Sequence, residues 1–182
     1  MFEIIIKSFY FILPAYFANM APVIFDKLKL LNFLNFPIDG GRRIGKSFIF
    51  GNNKTWRGIV AAVIFGVLVS FVQAVLYKLD YFVTISIIDY STYYLIFGFL
   101  AGLGTILGDL FKSFLKRRLG IVSGGSWPIF DQLDFVFGFI IFTYWLVLPS
   151  ITIISIVFLL TIVLHPLINL ISYFLGIKKV WW

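Results

Sequence analysis

The chain has 182 residues, 61% of them hydrophobic and only 13% charged, with a mean hydropathy of +1.02. Ordinary soluble domains use roughly half apolar and roughly a quarter charged residues, so the composition excludes a soluble fold and reads as an all-α integral membrane protein. The absence of cysteine excludes disulfides, thiolate metal sites and a cysteine nucleophile. A net charge of +7 would fit nucleic acid in a soluble protein, but here its placement along the chain matters more than its sum, and no nucleic-acid partner is expected.

The N-terminus, MFEIIIKSFYFILP, runs on without a small-residue cleavage site, which predicts a first membrane helix rather than a removed signal peptide. Apolar stretches over 2–25, 58–79, 93–115, 132–149 and 150–174 predict five transmembrane helices in one domain spanning 1–182. Thirteen of the fifteen lysines and arginines fall in the loops around 26–57 and 112–128 and in the tail. By the positive-inside rule these segments face the cytoplasm, which places the N-terminus outside and the C-terminus inside, with two functional cytoplasmic loops. Tyr77, Tyr81, Tyr90, Tyr93, Tyr94, Trp127, Trp181 and Trp182 lie at segment ends, where interfacial anchoring is expected.

Within the first span, Pro14 and Pro22 flank Asn19, and the prolines are expected to bend the helix near its cytoplasmic end. Asn19 reads equally as the partner of a backbone group freed there and as a polar group lining a site. The first loop then carries Pro37-Ile38-Asp39-Gly40-Gly41-Arg42-Arg43 and Gly51-Asn52-Asn53-Lys54-Thr55-Trp56-Arg57-Gly58. The second run lacks the spacing of a phosphate-binding P-loop. Lys54 and Arg57 nevertheless stand at a helix entrance, where backbone dipoles favour anions.

The third span has Gly98, Gly102, Gly104 and Gly108, two pairs at the spacing that lets helices approach closely. From Gly108 onward the sequence turns polar. Asp109, Ser113 and Lys116 share one helical face, and Asp131 and Asp134 share another at the start of the fourth span. A helix cap explains Asp131 as well as a functional role does. It does not explain Asp134, a turn deeper, or Asp109, at the end of a long apolar helix. Ionisable groups beside hydrocarbon are functional candidates by default. Three carboxylates at one membrane surface suit a hard divalent cation, Mg²⁺. Lys116 and Arg117 read as phosphate ligands or as a stop-transfer cluster, and Arg118 as the latter. The turn 123–126, Ser-Gly-Gly-Ser, offers backbone N–H groups for phosphate oxygens or is an ordinary loop. His165, the lone histidine, precedes Pro166 and is expected to pack rather than to ligate.

These same residues carry a family resemblance. PAYFANMAPV, PIDGGRR and GNNKTWRG resemble the first-loop motifs of archaeal CDP-archaeol synthases. GTILGDLFKSFLKRRLG with PIFDQLDFVFG resembles that family's second cytoplasmic segment, and HPLINLISYFLGIKKVWW its C-terminal end. The order Ser-x-x-Lys-Arg then Asp-Gln-x-Asp is similar to the wider phosphatidate cytidylyltransferase signature. Ser-Gly-Gly-Ser-Trp here replaces its intervening histidine and glycines, which favours the archaeal branch. The resemblance implies a five-helix enzyme of the cell membrane, with its active site at the cytoplasmic face. It would transfer CMP from CTP to a lipid phosphate with Mg²⁺ held by Asp109, Asp131 and Asp134. Lys116 would join those three in catalysis. Lys54, Arg57, Lys116 and Arg117 would meet CTP or lipid phosphates, Ser113 would bind substrate, Asp39, Arg42 and Arg43 would shape the nucleotide pocket, and Asn19 would help line the site. Three other readings compete: a phosphatidate cytidylyltransferase making CDP-diacylglycerol, a CTP-dependent polyprenol kinase, and a small cation transporter. The transporter is disfavoured because the charges sit at segment ends and no inverted repeat is visible.

Overall fold

A computed structural model describes residues 2–122, 125–174 and 176. Its five long helices are α1 (Phe2–Lys27), α2 (Trp56–Leu76), α4 (Tyr90–Arg118), α5 (Phe130–Val147) and α6 (Ile151–Phe174), each long and apolar enough to cross a membrane. The first loop adds a 3-10 turn at Asn32–Leu34 and a two-residue hairpin, β1 (Arg43–Ile44) with β2 (Ser47–Phe48). A six-residue helix, α3 (Asp80–Ile85), occupies the second loop, where the sequence pattern gave no sign of one. The tail residues Lys178, Lys179, Trp181 and Trp182 lie outside the described residues.

Helix α1 is the interior element and stays helical through both Pro14 and Pro22. More than half of its apolar window is buried (56%), against 11% for α6, which is therefore the most lipid-facing wall. Phe11 of α1 packs on Phe97 of α4 and Phe139 of α5, with ring centroids 5.6 and 4.9 Å apart. Tyr90, read from sequence as an interfacial anchor, instead sits fully buried against Tyr10, Tyr77 and Phe97. One ring at a helix start can point either way, and the neighbouring helices decide.

Helix spacing is set by glycine. A Cβ added at Gly98 would lie 2.6 Å from Val67 Cα, so α2 and α4 touch backbone to backbone through Gly66, Gly98 and Gly102. On the opposite face of α4, a Cβ at Gly104 would lie 2.8 Å from Phe142 Cβ, and one at Gly108 would strike the carbonyl of Asp134. Without a hydrophobic driving force between helices in lipid, such close packing is a main source of association. Its local consequence is that α5 lays Asp134 directly beside Gly108-Asp109 of α4.

Candidate functional site

At the end of the bundle where α1 finishes, α2 and α5 begin and α4 runs out, a cavity of about 1130 Å³ opens between the helices and the first loop. Pockets for one small ligand span roughly 300–1,000 Å³, so this cavity matches the top of that range. Its lining includes Asn19, Lys54, Arg57, Asp109, Lys112, Ser113, Lys116, Arg117, Asp131 and Asp134. Residues from four helices, far apart in the sequence, thus share one chamber.

The centre of the chamber is Lys112. Its Nζ stands 3.2 Å from Asp109 Oδ1, 3.2 Å from Asp131 Oδ1 and 2.6 Å from Asp134 Oδ2. Lys54 pairs with Asp109 Oδ2, and Lys116 Nζ donates to Asp131 Oδ1 at 2.7 Å. Three ammoniums therefore face three carboxylates, and every carboxylate meets at least one cation. Sequence reading counted Lys112 only as a loop charge. The signal was available: Lys112 is three residues after Asp109 and four before Lys116, on their face of the helix.

The two oxygens of Asp131 face different partners. Oδ1 belongs to the cluster, whereas Oδ2 accepts the Trp127 backbone N–H at 2.6 Å. That bond ties down the turn before α5, in which Ile129 has φ +69 and the Trp127 and Phe130 rings stack at 4.3 Å. A β-branched residue at positive φ is strained and persists only where its surroundings hold it.

Arg57 is 5% exposed and pairs with Asp26 at the end of α1, while its Nη1 donates to Asn32 Oδ1 at 3.0 Å. Asp26 and Asn32, which sequence reading did not single out, thus fix the loop to the bundle. Arg117 lines the main cavity and an adjoining one of about 540 Å³, shared with Asn52 and Asn53, and its buried Nε has no hydrogen-bond partner among the described residues. Of the turn 123–126, Ser123 and Gly124 lie outside the described residues, and Gly125 and Ser126 border the cavity.

Asp39, Arg42 and Arg43 do not line the cavity. Asp39 organises the loop from within by accepting backbone N–H groups of Gly41 (3.0 Å), Phe50 (2.9 Å) and Gly51 (3.2 Å). Burial alone would raise its pKa. The bonds from Phe50, Gly41 and Gly51 outweigh it and hold the carboxyl below its ordinary value. Arg42 is exposed, and Arg43 stacks over Phe48 at 4.4 Å. Arg118, read as a stop-transfer residue, reaches across to the hairpin and donates to Phe48 O (2.6 Å) and Ile44 O (3.3 Å).

Among the described residues no group of three or more histidine, aspartate or glutamate side chains is arranged to hold a metal ion. The donor chemistry nonetheless fits a hard cation. Three carboxylate oxygens surround one cation-sized point, now held by an ammonium, and buried Asp134 Oδ2 accepts no well-aligned hydrogen bond.

A helical membrane bundle with a chamber of charged side chains at one end is a membrane protein built around a site for charged ligands. The family model described as CDP-archaeol synthase matches residues 1–182. The CDP-archaeol synthase of Methanocaldococcus jannaschii is 36% identical over 186 residues, covering 100% of this chain and 99% of that one. That of Methanococcus aeolicus is 35% identical over 181 residues, covering 98% and 97%. A solved structure of an intramembrane enzyme for archaeal membrane lipid biosynthesis has a TM-score of 0.71 at 25% identity, covering 88% of this chain and 90% of that one. The chain belongs to the CDP-archaeol synthase family.

Proposed function

We propose that this protein transfers CMP from CTP to the phosphate of an isoprenoid ether lipid, yielding unsaturated CDP-archaeol and pyrophosphate for phospholipid synthesis. The observation that carries the reading is the cluster of Asp109, Asp131 and Asp134 with Lys54, Lys112 and Lys116 inside one chamber. Phosphoryl chemistry of this kind asks for charge neutralisation and positioning, not for a strong base, because the attacking phosphate oxygen is already anionic. That oxygen bonds to the α-phosphorus of CTP as the bond to the β-phosphate bridge breaks, and pyrophosphate leaves.

Mg²⁺ is the cofactor we assign to Asp109, Asp131 and Asp134, where it would neutralise triphosphate oxygens and activate the α-phosphorus. Lys54, Lys112, Lys116 and Arg117 hold the phosphates of CTP and the leaving pyrophosphate, and Ser113 supplies a hydroxyl at the same wall. Arg57 locks the floor of the first loop, while Asp39, Arg42 and Arg43 act through that loop's shape. The excess of lysine and arginine in the first and third loops supports a chamber at the cytoplasmic face of the cell membrane, with the N-terminus outside. CTP then arrives from the cytoplasm and the lipid laterally from the leaflet.

The test is an assay of purified protein in detergent with labelled CTP, Mg²⁺ and either the archaeal ether-lipid phosphate or phosphatidic acid. Label from the α-position should enter the ether lipid, and chelation of Mg²⁺ or Asp131→Asn should abolish transfer. Preference for phosphatidic acid would make the product CDP-diacylglycerol. Label arriving only from the γ-position would make the protein a kinase, and no transfer to any lipid by folded protein would defeat the reading.

A further inference from the structure

Helix α6 has no charged side chain between Ile151 and Phe174, and most of its surface faces lipid. One stripe turns inward at four-residue spacing: Val157, Thr161, His165 and Asn169. The first two seal the bundle. Val157 is fully buried, and Thr161 Oγ1 meets the Tyr16 hydroxyl of α1 at 2.9 Å. One turn further along, the stripe leaves the seal and enters the chamber, where His165, Pro166 and Asn169 join the lining.

Two ring contacts fix the level of this change. Phe135 packs on Tyr16 at 5.7 Å and on His165 at 6.0 Å. Phe135 directly follows Asp134, so His165 stands at the boundary between the aromatic floor and the carboxylate cluster. Asn169 is 7% exposed, and its amide nitrogen lies 3.4 Å from His165 Nδ1. In the tautomer in which Nδ1 accepts that amide, Nε2 carries the ring proton and is a donor.

We infer that His165 and Asn169 form the lipid side of the active site, receiving the phosphate–glycerol end of the acceptor as it enters past α6. The inference rests on the cytidylyltransferase reading and adds to it a division of the chamber between the two substrates. A nucleoside triphosphate with about four negative charges is drawn to the wall holding Lys54, Lys116 and Arg117, all on the first loop and α4. The α6 wall is uncharged, an imidazole and an amide, suited to a single phosphate and to glycerol ether oxygens. The same helix borders hydrocarbon on its outer face, where Val163 and Leu167 are 60% and 49% exposed. Asp134, on the neighbouring helix, lies next to both walls, where the attacking oxygen and the α-phosphorus have to meet.

The experiment compares wild type with His165→Ala, His165→Gln and Asn169→Ala, all as purified full chains in mixed micelles. Lipid phosphate is varied at saturating CTP, then CTP at saturating lipid, and a thermal shift with CTP checks folding. For the alanine variants the lipid KM should rise about tenfold, the scale of one lost hydrogen bond to a charged group. The CTP KM and the CTP-induced thermal shift should stay within about twofold of wild type, with His165→Gln recovering part of the lipid affinity. An equal rise in CTP KM, or no change in either KM, overturns the inference. Wild-type protein that transfers CMP to no lipid phosphate would instead defeat the underlying functional reading, so the two failures are separable.

Discussion

Lys112 Nζ lies 2.6 Å from Asp134 Oδ2, joining α4 to α5 beneath the polar end of the bundle, with both side chains mostly buried. The same ammonium contacts Asp109 and Asp131, so one cation holds together carboxylates that would otherwise repel one another. Removing one partner of such a buried pair leaves a charge without compensation and costs about 3–5 kcal/mol. Lys112→Met should therefore lower the melting temperature and reduce kcat by about 100-fold. Adding Asp134→Asn should recover part of the stability and none of the activity. Thermal melts and steady-state assays on the single and double variants check both statements.

Gly108→Val should be worse than its volume suggests, because its Cβ would strike the Asp134 carbonyl. Overpacking of this kind costs about 1–3 kcal/mol, and here it also displaces a cluster carboxylate. Gly66→Val, at the α2–α4 contact away from the chamber, should destabilise similarly while leaving the folded fraction near wild-type turnover. Melting temperature and kcat per folded molecule, measured for both variants, separate packing from positioning. Equal kcat losses would show that Gly108 has no special bearing on the site.

Arg118→Ala should raise the CTP KM severalfold without moving the lipid KM. The arginine's fork holds the hairpin through the Phe48 and Ile44 carbonyls, so its loss frees the loop that carries Lys54. Arg118→Lys should not restore binding, since an ammonium cannot reproduce the planar fork. Limited proteolysis within 40–50 should speed up in parallel. A normal CTP KM in Arg118→Ala would break the link between hairpin and nucleotide.

Asp39 makes first-loop order dependent on acid. Its folded pKa lies below the unfolded value, so it contributes full stability above the ordinary carboxylate range. That contribution is lost as the pH falls below about 4 through the lower folded pKa. NMR signals of the Gly41, Phe50 and Gly51 amides should therefore shift together on acidification. In Asp39→Asn they should be displaced already at neutral pH. Independent titration of the three would show that Asp39 is not their common acceptor.

Much of this protein is determined by sequence alone. The five spans follow from uninterrupted hydropathy, which needs only neighbouring residues, and the observed helices differ from the expected segments by a few residues at their ends. The family motifs around Asp109, Lys116, Asp131 and Asp134 are legible because charges beside hydrocarbon have few structural uses. Tertiary structure decided what local pattern cannot carry: which cation meets which carboxylate. Lys112 looked like one basic residue among four until α5 was set against the Gly104–Gly108 face of α4. Asp26 gained its role from Arg57, thirty-one residues away, and Arg118 from a hairpin seventy or more residues before it. His165 and Asn169 entered the chamber because α6 closes the bundle beside α1 and α5. Hydropathy places a residue in depth along one helix. Its partners depend on the rotation and spacing of the helices around it, which close backbone packing in the assembled bundle sets.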